Sequence, residues 1–206
     1  GLGHLSKNRK LPKIEYYSHH LSHAASTFYC SGFENANIIT LDGSGEEVTT
    51  LLAVGNGKDI KEIEKFYLPD TLGGFYASFT EYLGFRPYHD EGKVMGLASY
   101  GKYSQSLQDK MDQVISYDLD TGKFKVNPRM RYVGKHTYGA RFTDEFVELF
   151  GPMRESKISA LEKPYPDIAF ALQWRLEQIV ITLANELHRK TGLRKFCLAG
   201  GVAMNC

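Results

Sequence analysis

The chain has 206 residues, which is enough for one large domain or two small ones. Hydrophobic residues make up 42% and charged residues 24%, as in an ordinary globular protein, and no apolar run approaches the roughly 18 to 20 residues of a membrane helix. The net charge of +1 gives no electrostatic reason to expect nucleic acid or a membrane as partner, and three scattered cysteines fit a reducing cytoplasm rather than a disulfide framework.

The first predicted elements are a helix followed by a β-hairpin. Ser18 fits the N-cap of a helix whose apolar stripe comprises Leu21, Ala24, Ala25 and Phe28. Residues 37–41 and 48–54 have strand composition, and the glycine-rich segment 42–46 between them predicts a hairpin turn.

Helical patterns dominate the rest of the chain. Shorter helices are predicted at 71–83, 94–98, 104–116 and 143–149, with a possible small hairpin at 120–122. The strongest periodicity spans 166–191, where Gly192 is a helix stop and residues 195–199 form the next strand. A helix that leads directly into a buried strand predicts an α/β architecture, with Cys197 in the core.

Three histidines fall within five residues at the start of the first helix. His19 and His23 are four residues apart and therefore share a helix face, while His20 faces a neighbouring direction. Two imidazoles one turn apart are a recurring clamp for a divalent metal, and Asp42 is a nearby candidate for a third ligand. A solvated or hydrogen-bonded histidine cluster is an equally open interpretation of this pattern.

Two glycine-rich corners could accept an anion. The turn at 42–46 would offer backbone N–H groups and the hydroxyl of Ser44, although Asp-Gly is also common in ordinary hairpin turns. In residues 198–205 a strand delivers Gly200 and Gly201 to a predicted helix start, which suits a phosphate or nucleotide. A tight turn without a ligand explains the second corner equally well.

The two ends of the sequence suggest a part of a longer protein. Residues 1–13 are basic but lack the apolar centre of a signal peptide, and no initiator Met precedes them. Residues 196–206 predict a strand, a turn and the first residues of a helix, where few native chains stop. We therefore expect 1–206 to be a piece of a longer chain.

Taken in order, four stretches resemble the O-carbamoyltransferase family, which includes nodulation, cephamycin and aminoglycoside carbamoyltransferases: 19–26, 40–46, 92–101 and 197–206. The resemblance implies a cytoplasmic biosynthetic enzyme whose catalytic domain is similar to tRNA threonylcarbamoyl-transfer proteins. It also implies an incomplete domain of the actin, hexokinase and heat-shock-ATPase superfold, which is ribonuclease H-like, with a mixed sheet and flanking helices. The transferred group would come from carbamoyladenylate, made from carbamoyl phosphate and ATP, and go to a hydroxyl of a small-molecule or saccharide acceptor.

The resemblance also implies roles for individual residues. His19 and His23 would hold iron or zinc, and His20 would act as acid, base or acceptor contact. Lys93 would lie near the nucleotide and help to stabilise negative charge. The remaining ligand-binding residues would be those of the two glycine corners: Asp42, Gly43, Ser44, Gly45, Gly200, Gly201 and Asn205.

The chain departs from the family pattern in what it contains. The family's opening strand, an aspartate metal ligand downstream of Asn205 and the adenylate-forming domain normally found in the same polypeptide are all absent from residues 1–206. We therefore expect this partial catalytic domain to be inactive alone and to bind metal weakly. Two other functions stay open: a sugar kinase or ATPase of the same superfold, and a non-catalytic binding module with solvated histidines.

Overall fold

The computed structural model describes residues 13–132 and 140–205, so Cys206 and the basic residues 1–12 lie outside the described part. In the described part the helices are α1 (His19–Phe28), α2 (Leu72–Tyr82), α3 (Glu91–Ala98), α4 (Gln105–Val114), α5 (Asp144–Phe150) and α6 (Tyr165–Thr191). The strands are β1 (Asn35–Gly45), β2 (Val48–Asn56), β3 (Asp59–Tyr67), β4 (Ile115–Tyr117), β5 (Phe124–Val126) and β6 (Phe196–Ala199).

The main sheet is mixed and has the strand order β3-β2-β1-β6. Strand β1 is antiparallel to β2 and parallel to β6, so residues distant in sequence meet at its two edges. Successive side chains of a strand point to opposite faces, and Ile38 accordingly packs with α1 whereas Ile39 packs into the larger core. The predicted α/β class with helices flanking a mixed sheet is confirmed, and the likeness to actin and hexokinase stays a prediction.

The larger core lies on the face opposite α1. It contains an aromatic cluster that joins α2 to α5, in which Phe79, Tyr82, Phe146 and Phe150 contact one another edge to face or tilted. All four side chains are buried, and such ring pairs contribute about 0.5–1.5 kcal/mol each beyond area burial. Apolar residues of α6 pack into the same core. This core holds α2 and α6 rigidly against β1.

The predicted turn at 42–46 is wrong in its position. Strand β1 continues to Gly45, and the chain reverses at Glu46, whose φ of 62° is left-handed. Between the pairs Leu41–Thr50 and Gly45–Val48 the ladder contains a bulge of three residues, 42–44, opposite one. The glycines therefore permit a bulge inside a strand rather than a hairpin turn.

Other sequence predictions agree with the structure to differing degrees. Helices α2, α5 and α6 lie within a residue or two of their predicted bounds, Gly192 ends α6 at a φ of 72°, and the small β4–β5 hairpin forms. Strand β3 was not predicted, because its charged residues alternate poorly with apolar ones. After Gly200 the described chain forms a 3-10 turn, Gly201–Met204, rather than the start of a regular helix. None of the described helices combines the length and apolarity needed to cross a membrane.

Candidate metal and ligand site

Two of the three clustered histidines meet one carboxylate. His19 Nε2 lies 3.1 Å and His23 Nε2 lies 3.0 Å from the same oxygen, Oδ2 of Asp42. The two imidazole nitrogens are themselves 3.0 Å apart. Helix α1 brings both rings to one face because they are one turn apart, and the bulge of β1 presents Asp42 to them.

Hydrogen bonding alone does not satisfy these three contacts together. Each neutral imidazole carries a single N–H, so if both Nε2 atoms donate to Asp42 they face each other with hydrogens in between. Ligand atoms of all three side chains lie within 4.8 Å of one another, an arrangement able to hold a metal ion. Two imidazoles and one carboxylate are a donor set that suits first-row divalent metals such as iron or zinc.

Asp42 is held in the charged form. Burial opposes its ionisation, but hydrogen bonds from His19, the Gly43 amide and His23 outweigh burial and lower the pKa of the carboxyl below its ordinary value. Its second oxygen, Oδ1, accepts the Gly43 N–H at 2.7 Å. The carboxylate is therefore oriented by the bulge and offers Oδ2 to the histidines.

Glycines let three backbones approach the site closely. A Cβ on Gly45 would overlap the ring of His19, and a Cβ on Gly73 would lie 2.6 Å from the Gly43 nitrogen. At Gly200, where φ is 96°, a Cβ would overlap the carbonyl oxygen of Leu41. The corners predicted as anion sites thus also have a packing reason to be glycine.

A cavity of about 750 Å³ opens beside the histidine–aspartate cluster. Asp42, Gly43 and Ser44 of β1 form one wall, and Gly201 and Asn205 form another. Because Asp42 belongs to both the cluster and the cavity wall, a molecule in the cavity can lie next to a metal held by the histidines.

A half-buried amide on α6 contacts two residues of the far wall of this cavity. Gln173 exchanges two hydrogen bonds with Asn205, at 2.6 and 3.1 Å, and accepts one from the hydroxyl of Tyr76 at 3.0 Å. Burial raises the pKa of Tyr76, so its hydroxyl stays protonated as the donor. Sequence reasoning missed Gln173 and Tyr76, because each lies in a regular helix without a motif that distinguishes it from core.

Some of the other predicted site residues line the cavity and some do not. Gly43, Ser44, Gly201 and Asn205 line the cavity, and Gly45 packs against His19. Their predicted ligand-binding roles stay predictions. Lys93 is not among the described residues that line the cavity, and its ammonium group pairs with Asp90 at 2.8 Å.

His20 faces the protein interior rather than the cavity. It is only 1% exposed, and burial lowers the pKa of its ring below the ordinary value. Both of its nitrogens have partners, Thr40 Oγ1 at 2.6 Å and the Val48 carbonyl at 3.0 Å. The acid–base role predicted for His20 stays a prediction.

These features define an α/β domain in which Asp42, contacted by two helical histidines, lines a glycine-bordered cavity. A family model described as the N-terminus of carbamoyltransferases matches residues 2–206. The chain therefore belongs to the carbamoyltransferase N-terminal domain family, and the resemblance based on four motifs is confirmed.

Individual relatives agree with this assignment. The chain is 36% identical to nodulation protein NolNO of Sinorhizobium fredii over 94% of its length and 33% identical to nodulation protein NolO of Bradyrhizobium diazoefficiens over 92%. It is 38% identical to an uncharacterized protein of Synechocystis over 97% of its length. The matched regions cover 32%, 26% and 32% of the Synechocystis protein, NolNO and NolO respectively, so the chain spans only a quarter to a third of these relatives.

Proposed function

We propose that this domain supplies part of the catalytic site of a carbamoyltransferase, which moves a carbamoyl group from carbamoyladenylate to a hydroxyl of a small-molecule or saccharide acceptor. The observation that carries the proposal is the sharing of Asp42 between the histidine cluster and the cavity. This shared residue supports a reaction in the cavity next to the proposed metal. Family membership supports carbamoyl transfer as that reaction.

The proposed metal ligands are His19 and His23, with Asp42 completing the described set. The contacts among the three side chains fit a divalent ion better than hydrogen bonds, as argued above. When bound, iron or zinc supplies Lewis-acid chemistry, which makes a nearby hydroxyl more acidic. Gly45 packs directly against the His19 ring, so strand β1 and helix α1 meet closely at the proposed ligands.

Of the proposed nucleotide and carbamoyl contacts, Gly43, Ser44, Gly201 and Asn205 line the cavity, and Gly45 and Gly200 are their neighbours in the chain. The bulge at Gly43, Ser44 and Gly45 gives an anion access to the backbone, which suits the phosphate of the adenylate. Gly200 and Gly201 form the neighbouring corner, and Asn205 offers an amide to the adenosine end. A cavity of about 750 Å³ has the volume typical of small-molecule sites.

The reaction balances without any further reactant. The acceptor oxygen forms a bond to the carbamoyl carbon, and the bond from that carbon to the adenylate phosphate oxygen breaks. AMP leaves with the electron pair, and the hydroxyl proton passes to water. Backbone N–H groups of the glycine corners would stabilise negative charge on the carbamoyl oxygen and on the leaving phosphate.

The proposed enzyme needs more than this domain. Making carbamoyladenylate from carbamoyl phosphate and ATP would be the task of an adenylate-forming domain, for which the greater length of the relatives leaves room. Lys93 would contribute charge near the nucleotide only after leaving its exposed pair with Asp90. The isolated residues 1–206 are accordingly proposed to lack activity.

The test is a turnover assay of the polypeptide as it occurs in the cell. Incubation with ATP, labelled carbamoyl phosphate and a panel of polyols and saccharides should yield a labelled carbamate ester and AMP. Formation of ADP and a phosphorylated acceptor would instead indicate a kinase. Consumption of no nucleotide with any acceptor, together with unchanged behaviour of His19→Ala and His23→Ala, would favour a binding module.

A further inference from the structure

His20 makes two hydrogen bonds that link α1 to two adjacent strands. The Val48 carbonyl of β2 can only accept, so Nε2 of His20 carries the hydrogen. Nδ1 of the neutral ring is then an acceptor, and it receives the hydroxyl hydrogen of Thr40 on β1 across 2.6 Å. This pair of bonds fixes the tautomer and the orientation of the ring.

The first turn of α1 has few other attachments. Ser18 occupies the N-cap position, but its side chain makes no cap hydrogen bond within the described part of the chain. The second half of the helix is anchored by Ala24 and Phe28, which pack into the smaller core on the sheet. Since helix ends without caps fray, the buried His20 is what holds the turn that carries His19.

Strand β1 provides both the hydroxyl that binds His20 and the carboxylate of the proposed metal site. Thr40 and Asp42 are two residues apart on β1. Although Asp42 begins the bulge, both side chains contact α1 and therefore lie on the same side of the strand. Thr40 contacts His20, and Asp42 contacts His19 and His23. A shift of the first turn along β1 would break the Thr40 bond and separate the metal ligands at the same time.

We propose that His20 is a positioning residue, which acts with Thr40 to align His19 and His23 with Asp42 rather than exchanging protons with a substrate. The proposal rests on the proposed function in taking the His19–His23–Asp42 cluster as the metal site. The His20 ring is buried between α1 and the sheet, and both of its nitrogens are hydrogen-bonded to protein atoms.

The most direct variant leaves every histidine in place. Thr40→Val removes the hydroxyl while keeping the shape of the side chain, and Thr40→Ser restores the hydroxyl. Thr50→Val is the matched control, since Thr50 is also fully buried in the neighbouring strand but its hydroxyl has no partner among the described residues. Urea unfolding of each variant reports any general loss of stability.

The first readout is the imidazole ¹⁵N spectrum of the metal-free chain. We expect the wild type to show His20 as a fixed Nε2–H tautomer, with distinct ring signals for His19 and His23. Thr40→Val should shift the His19 and His23 signals, Thr40→Ser should return them, and Thr50→Val should leave them unchanged. Unchanged His19 and His23 signals in Thr40→Val would overturn the proposal whether or not the chain binds metal.

The second readout is Co²⁺ binding, followed by its visible absorption. Thr40→Val should weaken Co²⁺ binding by about 10- to 100-fold, the usual effect of losing an outer-shell contact, and alter the absorption spectrum. Thr40→Ser should recover both, and Thr50→Val should match the wild type. Wild-type affinity and spectrum in Thr40→Val would contradict the positioning role. Because residues 1–206 alone are expected to bind metal weakly, Co²⁺ binding is measured on the polypeptide as it occurs in the cell. A wild-type polypeptide that binds no Co²⁺ would count against the metal site in the proposed function, and the ¹⁵N spectrum would still decide the role of His20.

Discussion

Two cavities of about 750 Å³ each lie on this domain, and they differ in how their charges are paired. In the cavity opposite the histidine site, Lys125 pairs with Asp70 at 2.6 Å and Arg129 pairs with Glu145 at 2.9 Å. Asp112, which lines the same cavity, pairs with Arg175. Among the described residues, the partners of the Asp42 side chain beside the other cavity are two imidazoles that crowd each other and one backbone N–H.

Equal volume therefore does not mean equal capacity for chemistry. In the first cavity the charged lining residues form ion pairs, and the acids stabilise the fold. Asp70, for example, accepts the Val126 N–H at 2.8 Å as well as a hydrogen bond from the Lys125 ammonium group. Asp42 of the other cavity is one of three side chains whose ligand atoms lie within 4.8 Å of one another. The predictions below test this difference, beginning with the largest expected effect.

Gly200→Ala should be the most damaging single substitution. A Cβ there would overlap the backbone carbonyl of Leu41, and the φ of 96° is strained for any residue with a side chain. We expect a loss of about 3 kcal/mol or more in the free energy of unfolding. Gly32→Ala is the control: its Cβ would meet no described atom within 4 Å, so only the left-handed φ of 72° should cost about 1 kcal/mol. Equal losses in urea unfolding would contradict this account of the corner.

The double variant His19→Ala/His23→Ala should reduce Co²⁺ affinity by about 100-fold or more, because it removes two of the three donors. His188→Ala is the matched control, since His188 lies in the last turn of α6 and contacts the Leu193 carbonyl. Isothermal titration would measure both. Equal affinities in the two variants would show that binding occurs away from α1.

Asp70→Ala, compared with Asp42→Ala, should distinguish an acid that stabilises the fold from one that binds metal. It leaves the buried Val126 N–H and the Lys125 ammonium without their acceptor, so we expect unfolding to become easier by about 2 kcal/mol. Co²⁺ binding should stay unchanged. Asp42→Ala should show the reverse pattern, with weak metal binding and a smaller loss in the free energy of unfolding. A loss of Co²⁺ binding in Asp70→Ala would break the contrast between the two cavities.

Lys93→Ala should have the smallest effect on stability. Its side chain is 63% exposed and pairs with Asp90 one helical turn away, an arrangement that contributes less than about 0.5 kcal/mol. Fluorescent-nucleotide titration of the same variant tests the role implied by the family resemblance. A decrease in nucleotide affinity without a change in the unfolding midpoint would support that role, and unchanged affinity would oppose it.

The sequence was most informative where a local period decides the structure. The apolar repeat and Gly192 located α6, and the four-residue spacing of His19 and His23 put both rings on one face. It was less informative where partners come from distant strands. The bulge at 42–44 depends on pairing with β2, and the inward direction of His20 depends on Thr40 and Val48. From local spacing His20 looks like a member of the site, because it lies three residues before His23 and residues three or four apart on a helix are neighbours.

The far wall of the cavity also depends on partners that are distant in sequence. Asn205 belongs to a stretch that resembles the carbamoyltransferase family, whereas its partner Gln173 is one polar residue among several in a long amphipathic helix. Only the packing of α6 against α2 brings Gln173 to Tyr76 and Asn205. Tertiary contacts of this kind leave no periodic signal.

The central claim is that His19, His23 and Asp42 hold one metal ion at the mouth of the cavity. The most direct measurement is an anomalous difference map from Zn²⁺-soaked crystals of the polypeptide as it occurs in the cell, because residues 1–206 alone are expected to bind metal weakly. We expect a single strong peak within about 2.0–2.2 Å of both Nε2 atoms and a carboxylate oxygen. A map without density there, or with zinc bound at other side chains while the two rings face solvent, would contradict the claim.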